Sequence, residues 1–449
     1  MKGKPGEACF QCHKNLPITA KAKHQPFEGG ECTACHKPHQ SENAKLLAKP
    51  TAALCADCHE IPSEKAKIKH QPVANGECLS CHNPHATENK KLLLKPEGKL
   101  CFDCHDDLEK KLQKAKARHQ PFEGGECTSC HKPHESDNKK LLIKPGEKLC
   151  AECHEIQQQL AKAKVKHTPV ENGECLSCHN PHLSDNKKLL NKPDGKLCAE
   201  CHEEIPQQLA KGKSKHQPVE NGDCTACHNP HQSDNKKLLV KLDGKLCAEC
   251  HEVQQQLAKA KVKHQPVENG ECASCHNPHQ SDNKKLLSKP DGKLCAECHE
   301  EIPQQLAKSK SKHQPVENGE CTSCHNPHQS DNKKLLTKAG GKLCYECHDD
   351  LQKTISTADF KHDPAANGDC NSCHQPHQSG ETKLLLKPTA KLCLDCHEEP
   401  DLKKVAAHQK TKETDCQLCH DPHAGKDRNL LTTRGLQAQT AGGKPTGGK

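Results

Sequence analysis

The residues able to do chemistry here are 36 cysteines and 36 histidines, and half of the histidines are locked to the cysteines by spacing. Every cysteine belongs to a C-x-x-C-H motif. The motifs are Cys9, Cys12 and His13; Cys32, Cys35 and His36; Cys55, Cys58 and His59; Cys78, Cys81 and His82; Cys101, Cys104 and His105; Cys127, Cys130 and His131; Cys150, Cys153 and His154; Cys175, Cys178 and His179; Cys198, Cys201 and His202; Cys224, Cys227 and His228; Cys247, Cys250 and His251; Cys272, Cys275 and His276; Cys295, Cys298 and His299; Cys321, Cys324 and His325; Cys344, Cys347 and His348; Cys370, Cys373 and His374; Cys393, Cys396 and His397; and Cys416, Cys419 and His420. Two thiols two residues apart can serve a zinc ion or a redox disulfide, but neither needs a histidine directly after the second. Covalent haem needs all three: the thiols bond the porphyrin and the histidine takes the iron. The expected cofactor is therefore haem c, 18 copies covalently bound.

The other 18 histidines also keep fixed positions. Motifs alternate between a type A that follows Lys-Leu, as in Lys148-Leu149-Cys150, and a type B that continues as C-H-x-P-H, as in His179-Asn180-Pro181-His182. One histidine class stands eight residues before each B motif: His24, His70, His119, His167, His216, His264, His313, His362 and His408. The second closes each C-H-x-P-H: His39, His85, His134, His182, His231, His279, His328, His377 and His423. Their number predicts a distal ligand for every iron. The second class lies on the wrong side of its own porphyrin to reach the iron. The invariant 23-residue B-to-A spacing then points it to the next A haem, His39 to the haem of His59. The first class would loop onto its own B haem, His24 to that of His36. On this scheme the haem of His13 and the ligand His423 are left at the two ends. Either the ends differ from the interior, or His423 reaches the first haem of another molecule and links copies head to tail.

The elements positioning these groups must be sparse. Leu, Ile, Val and Phe make up about 15% of the chain, too little for an ordinary core. The expected fold is mostly irregular with short α-helices, an elongated tandem-repeat array whose core is stacked haems, and the apo-chain should not fold. Residues 1–424 read as nine two-haem repeats of 46 to 49 residues. A 97-residue, four-haem duplication is visible where Glu155 to His167 recurs at Glu252 to His264. A short helix is expected over Glu155–Lys166, ended by the K-H-x-P step. The S-D-N-K-K-L-L stretch reads as a loop with a turn at P-D-G and Leu189-Leu190 against porphyrin. Residues 425–449 read as a flexible Gly/Thr/Lys-rich tail.

The formal charge of +8 does not imply nucleic acid. Two propionates per haem and one positive charge per ferric iron shift it to about −10, and full reduction to about −28, so the lysines read as propionate counter-charges. Side chains for stacking bases are also scarce. No stretch is apolar enough to span a membrane, and residues 1–6 hold no apolar signal core, so a secretion signal is expected to be absent from this chain.

The stretch from His167 through Cys175 and His182 to Lys196-Leu197-Cys198 and His202 resembles the doubled C-x-x-C-H multihaem cytochromes c. These include the decahaem periplasmic subunits of outer-membrane electron conduits. The resemblance covers residues 9–423. It implies low-potential bis-histidine haems in a chain, a secreted protein (periplasmic or extracellular), and a role in anaerobic respiration. Its partners would be other redox proteins or extracellular electron acceptors. Eighteen motifs exceed a decahaem subunit, which argues against a place inside a barrel porin. The expected function is a haem wire, with an electron reservoir as the alternative. A multihaem reductase is the weaker rival, because no C-x-x-C-K motif occurs and ligands match irons, so no enzyme activity is expected.

Overall fold

The computed structural model describes residues 6–61, 66–410 and 415–442. The chain forms two units, Met1–Pro206 with Asn221–Val240, and Gln207–Glu220 with Lys241–Lys449. Each is built from the same short pieces, as expected: irregular chain, helices of one to three turns and two-stranded sheets. The stretch from Ala117 to Lys166 illustrates them. A two-residue strand, Ala117–Arg118, leads to His119, which stays extended and starts the helix Gln120–Glu123. Pro121 lies in that helix's first turn, where its missing N–H costs nothing. The K-H-x-P step therefore starts a helix, where the sequence suggested only a stop.

After the glycine pair Gly124-Gly125 the B motif begins as a 3-10 turn, Cys127–Ser129. Glu135–Ser136 then forms a second short strand, and Lys139–Leu141 a tight turn. P-D-G and its P-G-E counterpart are also helix starts, not turns: Pro145 and Pro193 are extended, and the helices Gly146–Cys150 and Asp194–Cys198 follow. These carry the first cysteine of an A motif. The helix expected over Glu155–Lys166 spans Ile156–Lys162, and Val165–Lys166 is the next strand. Its Leu160 is buried, as are Leu257 and Ile355 in two matching helices.

The strands join positions far apart in sequence. Ala22–Lys23 pairs antiparallel with Ala86–Thr87, Ile68–Lys69 with Glu135–Ser136, and Ala117–Arg118 with Leu183–Ser184. Five further pairs repeat the pattern to Phe360–Lys361 with Ala424–Gly425. The strand before each first-class histidine except His408 is thus stapled to the strand after the second-class histidine one repeat further on.

Apolar burial is slight. Among the described residues no large side chain is fully buried, and the buried apolar set is nine residues, among them Phe122, Leu160 and Leu385. The boundary read at residue 424 falls inside the last repeat, because Leu431 bridges back to His420. Residues 433–442, read as tail, form the helix Thr433–Gly442. A Cβ at Gly435 would clash with the Cys419 carbonyl oxygen, so this glycine admits the helix against the Cys416 motif. Residues 443–449 lie outside the described residues.

Candidate functional site

The histidines meet in pairs. Two imidazoles binding one metal from opposite sides, with metal–nitrogen distances of about 2 Å, have centroids about 6 Å apart. Sixteen histidine pairs lie at 5.8–6.4 Å. Ordinary aromatic packing would scatter over about 4.5–7 Å.

The partners differ from those expected. Each first-class histidine faces the motif histidine of the following A motif, 35 residues on: His24–His59, His70–His105, His119–His154 and His167–His202 in the first unit. In the second unit the pairs are His216–His251, His264–His299, His313–His348 and His362–His397. Each second-class histidine faces the motif histidine of the preceding B motif: His85–His36, His134–His82, His182–His131 and His231–His179. The second unit repeats this in His328–His276, His377–His325 and His423–His374. So His24 does not serve its own B motif, and His39 does not face His59. His423, expected at a free end of the array, faces His374.

The staples explain the swap. His24 N–H donates to the His85 carbonyl at 2.8 Å, so the two backbones are fixed side by side while their rings point to different motifs. Sequence spacing could not show a contact made across some 60 residues. His228 and His279 occupy the same repeat positions, one in each unit. His228 Nδ1 donates to the Lys237 carbonyl and His279 N–H to Asn277 Oδ1, as in their counterparts. His408 instead faces His420 of its own B motif. Among the described residues His13 and His39 face no second histidine.

Hydrogen bonds set which ring nitrogen is free. Nδ1 of each B-motif histidine donates to a backbone carbonyl nine residues on, as His36 to Lys45 at 2.9 Å and His131 to Lys140 at 2.9 Å. First-class histidines donate Nδ1 to the proline carbonyl of the C-H-x-P-H one repeat further on, as His24 to Pro84 at 2.9 Å and His119 to Pro181 at 2.8 Å, except His408, which donates to the Leu402 carbonyl at 3.0 Å. This leaves Nε2 as the lone-pair nitrogen for a metal. Burial and neighbouring histidines hold His85, His134, His182, His231, His328 and His377 below the ordinary imidazole pKa, favouring the neutral, ligating form. Burial does the same at His423, against the nearby Asp421.

The accepting carbonyl is held at a conformational cost. Lys140 and Leu141 both adopt left-handed backbone, φ 58° and 56°, and seven other Lys-Leu pairs do the same. Each such residue costs roughly 1–2 kcal/mol. Ser136 Oγ donates to the Leu142 carbonyl at 2.6 Å and accepts from Asn138 N–H, closing the loop around the strain. Asn138 Nδ2 donates to the same carbonyl at 3.1 Å. The S-D-N-K-K-L-L stretch is thus a device that orients the B-motif histidine. Its repetition along the chain is the signal that the sequence offers for this role.

The thiols, none of them in a disulfide, mark how neighbouring motifs adjoin. Gly98 and Gly125 let their backbones meet, and a Cβ on Gly98 would lie 2.7 Å from Gly125 Cα. That contact sets Cys101 against Cys127, where the shared hydrogen bond raises one thiol and lowers the other. Likewise Cys198 and Cys224 lie within 4.8 Å, and Cys224 is lowered to about 7. Across the other link the second thiols act on one another through charge: burial raises Cys35 and Cys130, and Cys58 and Cys153 raise them further. Motifs adjoin in chain order, first cysteine to first cysteine and then second to second.

Lysines of the K-P step do not all await propionates. Lys49 pairs with Asp57 and Lys95 with Asp103, both at 2.7 Å, and Lys144 pairs with Glu152. Each ties the loop to an acid inside the next A motif.

Haem fits this set. In the second unit a cavity of about 4020 Å³ is lined by motif cysteines and paired histidines, with Leu286, Leu335, Leu384 and Val316 among the apolar walls. Shared among eight motifs, that leaves about 500 Å³ each, within the roughly 300–1,000 Å³ of a site for one cofactor-sized molecule. Thiols, metal-facing nitrogens and apolar volume coincide. The chain is a multihaem c-type cytochrome. A family model, the doubled CXXCH motif, matches residues 24–63, 70–110, 119–159, 167–207, 216–256, 264–304, 313–353 and 362–402. The chain belongs to that family. Each matched stretch of the cytochrome opens on a first-class histidine and closes after an A motif, so the unit is B then A. Eight units imply about 16 haem sites, and the motifs at Cys9 and Cys416 flank them. No curated protein matches the chain.

Proposed function

We propose that this cytochrome conducts electrons along 18 haems held in sequence order, as a wire in anaerobic or extracellular respiration. The carrying observation is that first thiols of neighbouring motifs meet, as Cys198 and Cys224 do within 4.8 Å, while second thiols across the next link act on one another through charge, which supports porphyrins in succession along each unit. Bound haem supplies the reversible iron redox couple. The chain's own residues would hold it: the motif cysteines would attach it, a motif histidine and the histidine facing it would ligate its iron, and backbone carbonyls fix both rings through Nδ1. Haem c is attached outside the cytoplasm, which supports a secreted protein meeting redox partners or extracellular acceptors. Among the described residues no helix is long and apolar enough to cross a membrane.

A reservoir would use the same residues. Removing one interior haem with C150A/C153A separates the two: a wire loses end-to-end transfer by orders of magnitude, whereas a reservoir loses one electron of capacity in 18. Preserved end-to-end rates in that variant defeat the wire. A reductase is favoured only by His13, which faces no second histidine. Turnover of nitrite or hydroxylamine that disappears in C9A/C12A would support it.

A further inference from the structure

The residue that lends its carbonyl to a B-motif histidine is a lysine in eight loops, from Lys45 to Lys383, with φ of 55–59°. Glycine would adopt that backbone without steric cost. Nor does orienting the ring require a lysine, because in the ninth loop Asn429 accepts from His420 Nδ1 at 2.7 Å. The neighbours vary while the lysine stays: the residue before it is Ala44, Lys90 or Thr382, and the third residue after it Ala48, Ile143 or Ser288. Its side chain therefore has a use of its own.

That use follows from its place. The Lys140 carbonyl holds His131, and the ring facing His131 is His182, so one lysine stands at both ligands of one haem position. Lys285, Lys334 and Lys383 line the cavity of the second unit together with such ligands. Burial is the main cause that lowers seven second-class histidines, and in each the charge of this lysine adds to it, as Lys45 at His85 and Lys140 at His182. Among the described residues none of the eight forms an ion pair with a carboxylate, whereas the K-P lysines do, as Lys144 with Glu152.

The A motifs carry the opposite charge. In the eight that follow a B motif, one acid stands directly before the second cysteine and another directly after the histidine, as Glu152 and Glu155 flank Cys153-His154. In two of them a further carboxylate approaches the ring, Glu204 at 3.6 Å from His202 Nδ1 and Glu301 at 3.7 Å from His299 Nδ1. The eight B motifs with the lysine have no acid at either place.

We propose that the left-handed lysine is a tuning residue, which makes the haem of its B motif easier to reduce than the haems of the A motifs on either side. The inference rests on the haem reading above. One electron from a redox partner turns one ferric iron ferrous and lowers its charge by one, with both histidines kept. A fixed cation beside the site favours that change, and carboxylates oppose it. Since B and A alternate along the chain, the first electrons settle on every second position. Each then has an oxidised neighbour to move to, and like charges stay apart.

The test is a reductive titration of the full-length, haem-loaded protein against a solution electrode, followed by haem absorbance. Two waves of similar size are expected. C127A/C130A should lose amplitude from the upper wave, and C150A/C153A from the lower. Glutamine at all eight positions, Lys45→Gln through Lys383→Gln, should lower the upper wave by roughly tenfold in equilibrium constant, about 59 mV for one electron. Arginine at the same positions should leave it in place, and the low-spin spectrum should be unchanged in both sets. Raising salt from about 10 mM to about 1 M should narrow the gap in the wild type, a readout that needs no variant. A single wave, the reverse assignment of the two cysteine variants, or a gap that salt leaves unchanged overturns the proposal. So does arginine lowering the upper wave as far as glutamine. A haem count far below 18 by mass would instead sink the haem reading.

Discussion

At the scale of single residues, a histidine's partner is decided by where the backbone carries its ring, and nearness in sequence is a poor guide. His24 is eight residues from the Cys32 motif yet faces His59. Removing it should free the iron of the A motif. His24→Ala is expected to give one new high-spin haem in the wild-type and C32A/C35A backgrounds, and none in C55A/C58A, by ferric spin state. The opposite pattern would restore the neighbour assignment. The strained carbonyl donors give a second prediction. Lys140 is exposed and left-handed, so Lys140→Gly should raise stability by about 1 kcal/mol, read from the denaturant midpoint, as relief of strain outweighs added chain entropy.

At the scale of elements, the array is held by backbone contacts that need small residues or a repeated polar loop. The approach of Gly98 to Gly125 sets two haem-bearing segments together. Gly98→Ala should therefore cost about 1–3 kcal/mol, as overpacking does, and lower the melting temperature. Gly146 begins the matching helix of the next repeat with nothing within 4 Å of its Cβ position. Gly146→Ala should be neutral or slightly stabilising by the same measurement, since alanine is the better helix former. The helices after the A motifs were legible because Ile156 and Leu160 kept helical spacing. The strands were not, since two residues of Lys and a small neighbour carry no alternating pattern.

At the scale of the whole molecule, the near-identical 97-residue copies should be removable as modules. Deleting residues 155–251 joins His154 to Glu252 in the register of the original Glu155. The product should carry 14 haems, four fewer than 18, all spectrally like the parent's. Mass spectrometry and the low-spin spectrum check this. Loss of folding would mean that the copies do more than repeat a local contact.

The sequence alone determined the chemistry: C-x-x-C-H and the matching histidines are covalent and coordinative demands that local spacing expresses fully. The rough periodicity and the poverty of apolar residues likewise followed from composition. Tertiary structure decided the ligand pairing, because strands some 60 residues apart place His24 beside His85 and turn their rings to different motifs. It also decided that S-D-N-K-K-L-L orients a ligand, since a left-handed carbonyl is a conformational fact that no residue type announces. It also turned His408 to its own B motif at His420, because the chain before His408 is helical where its counterparts are strands.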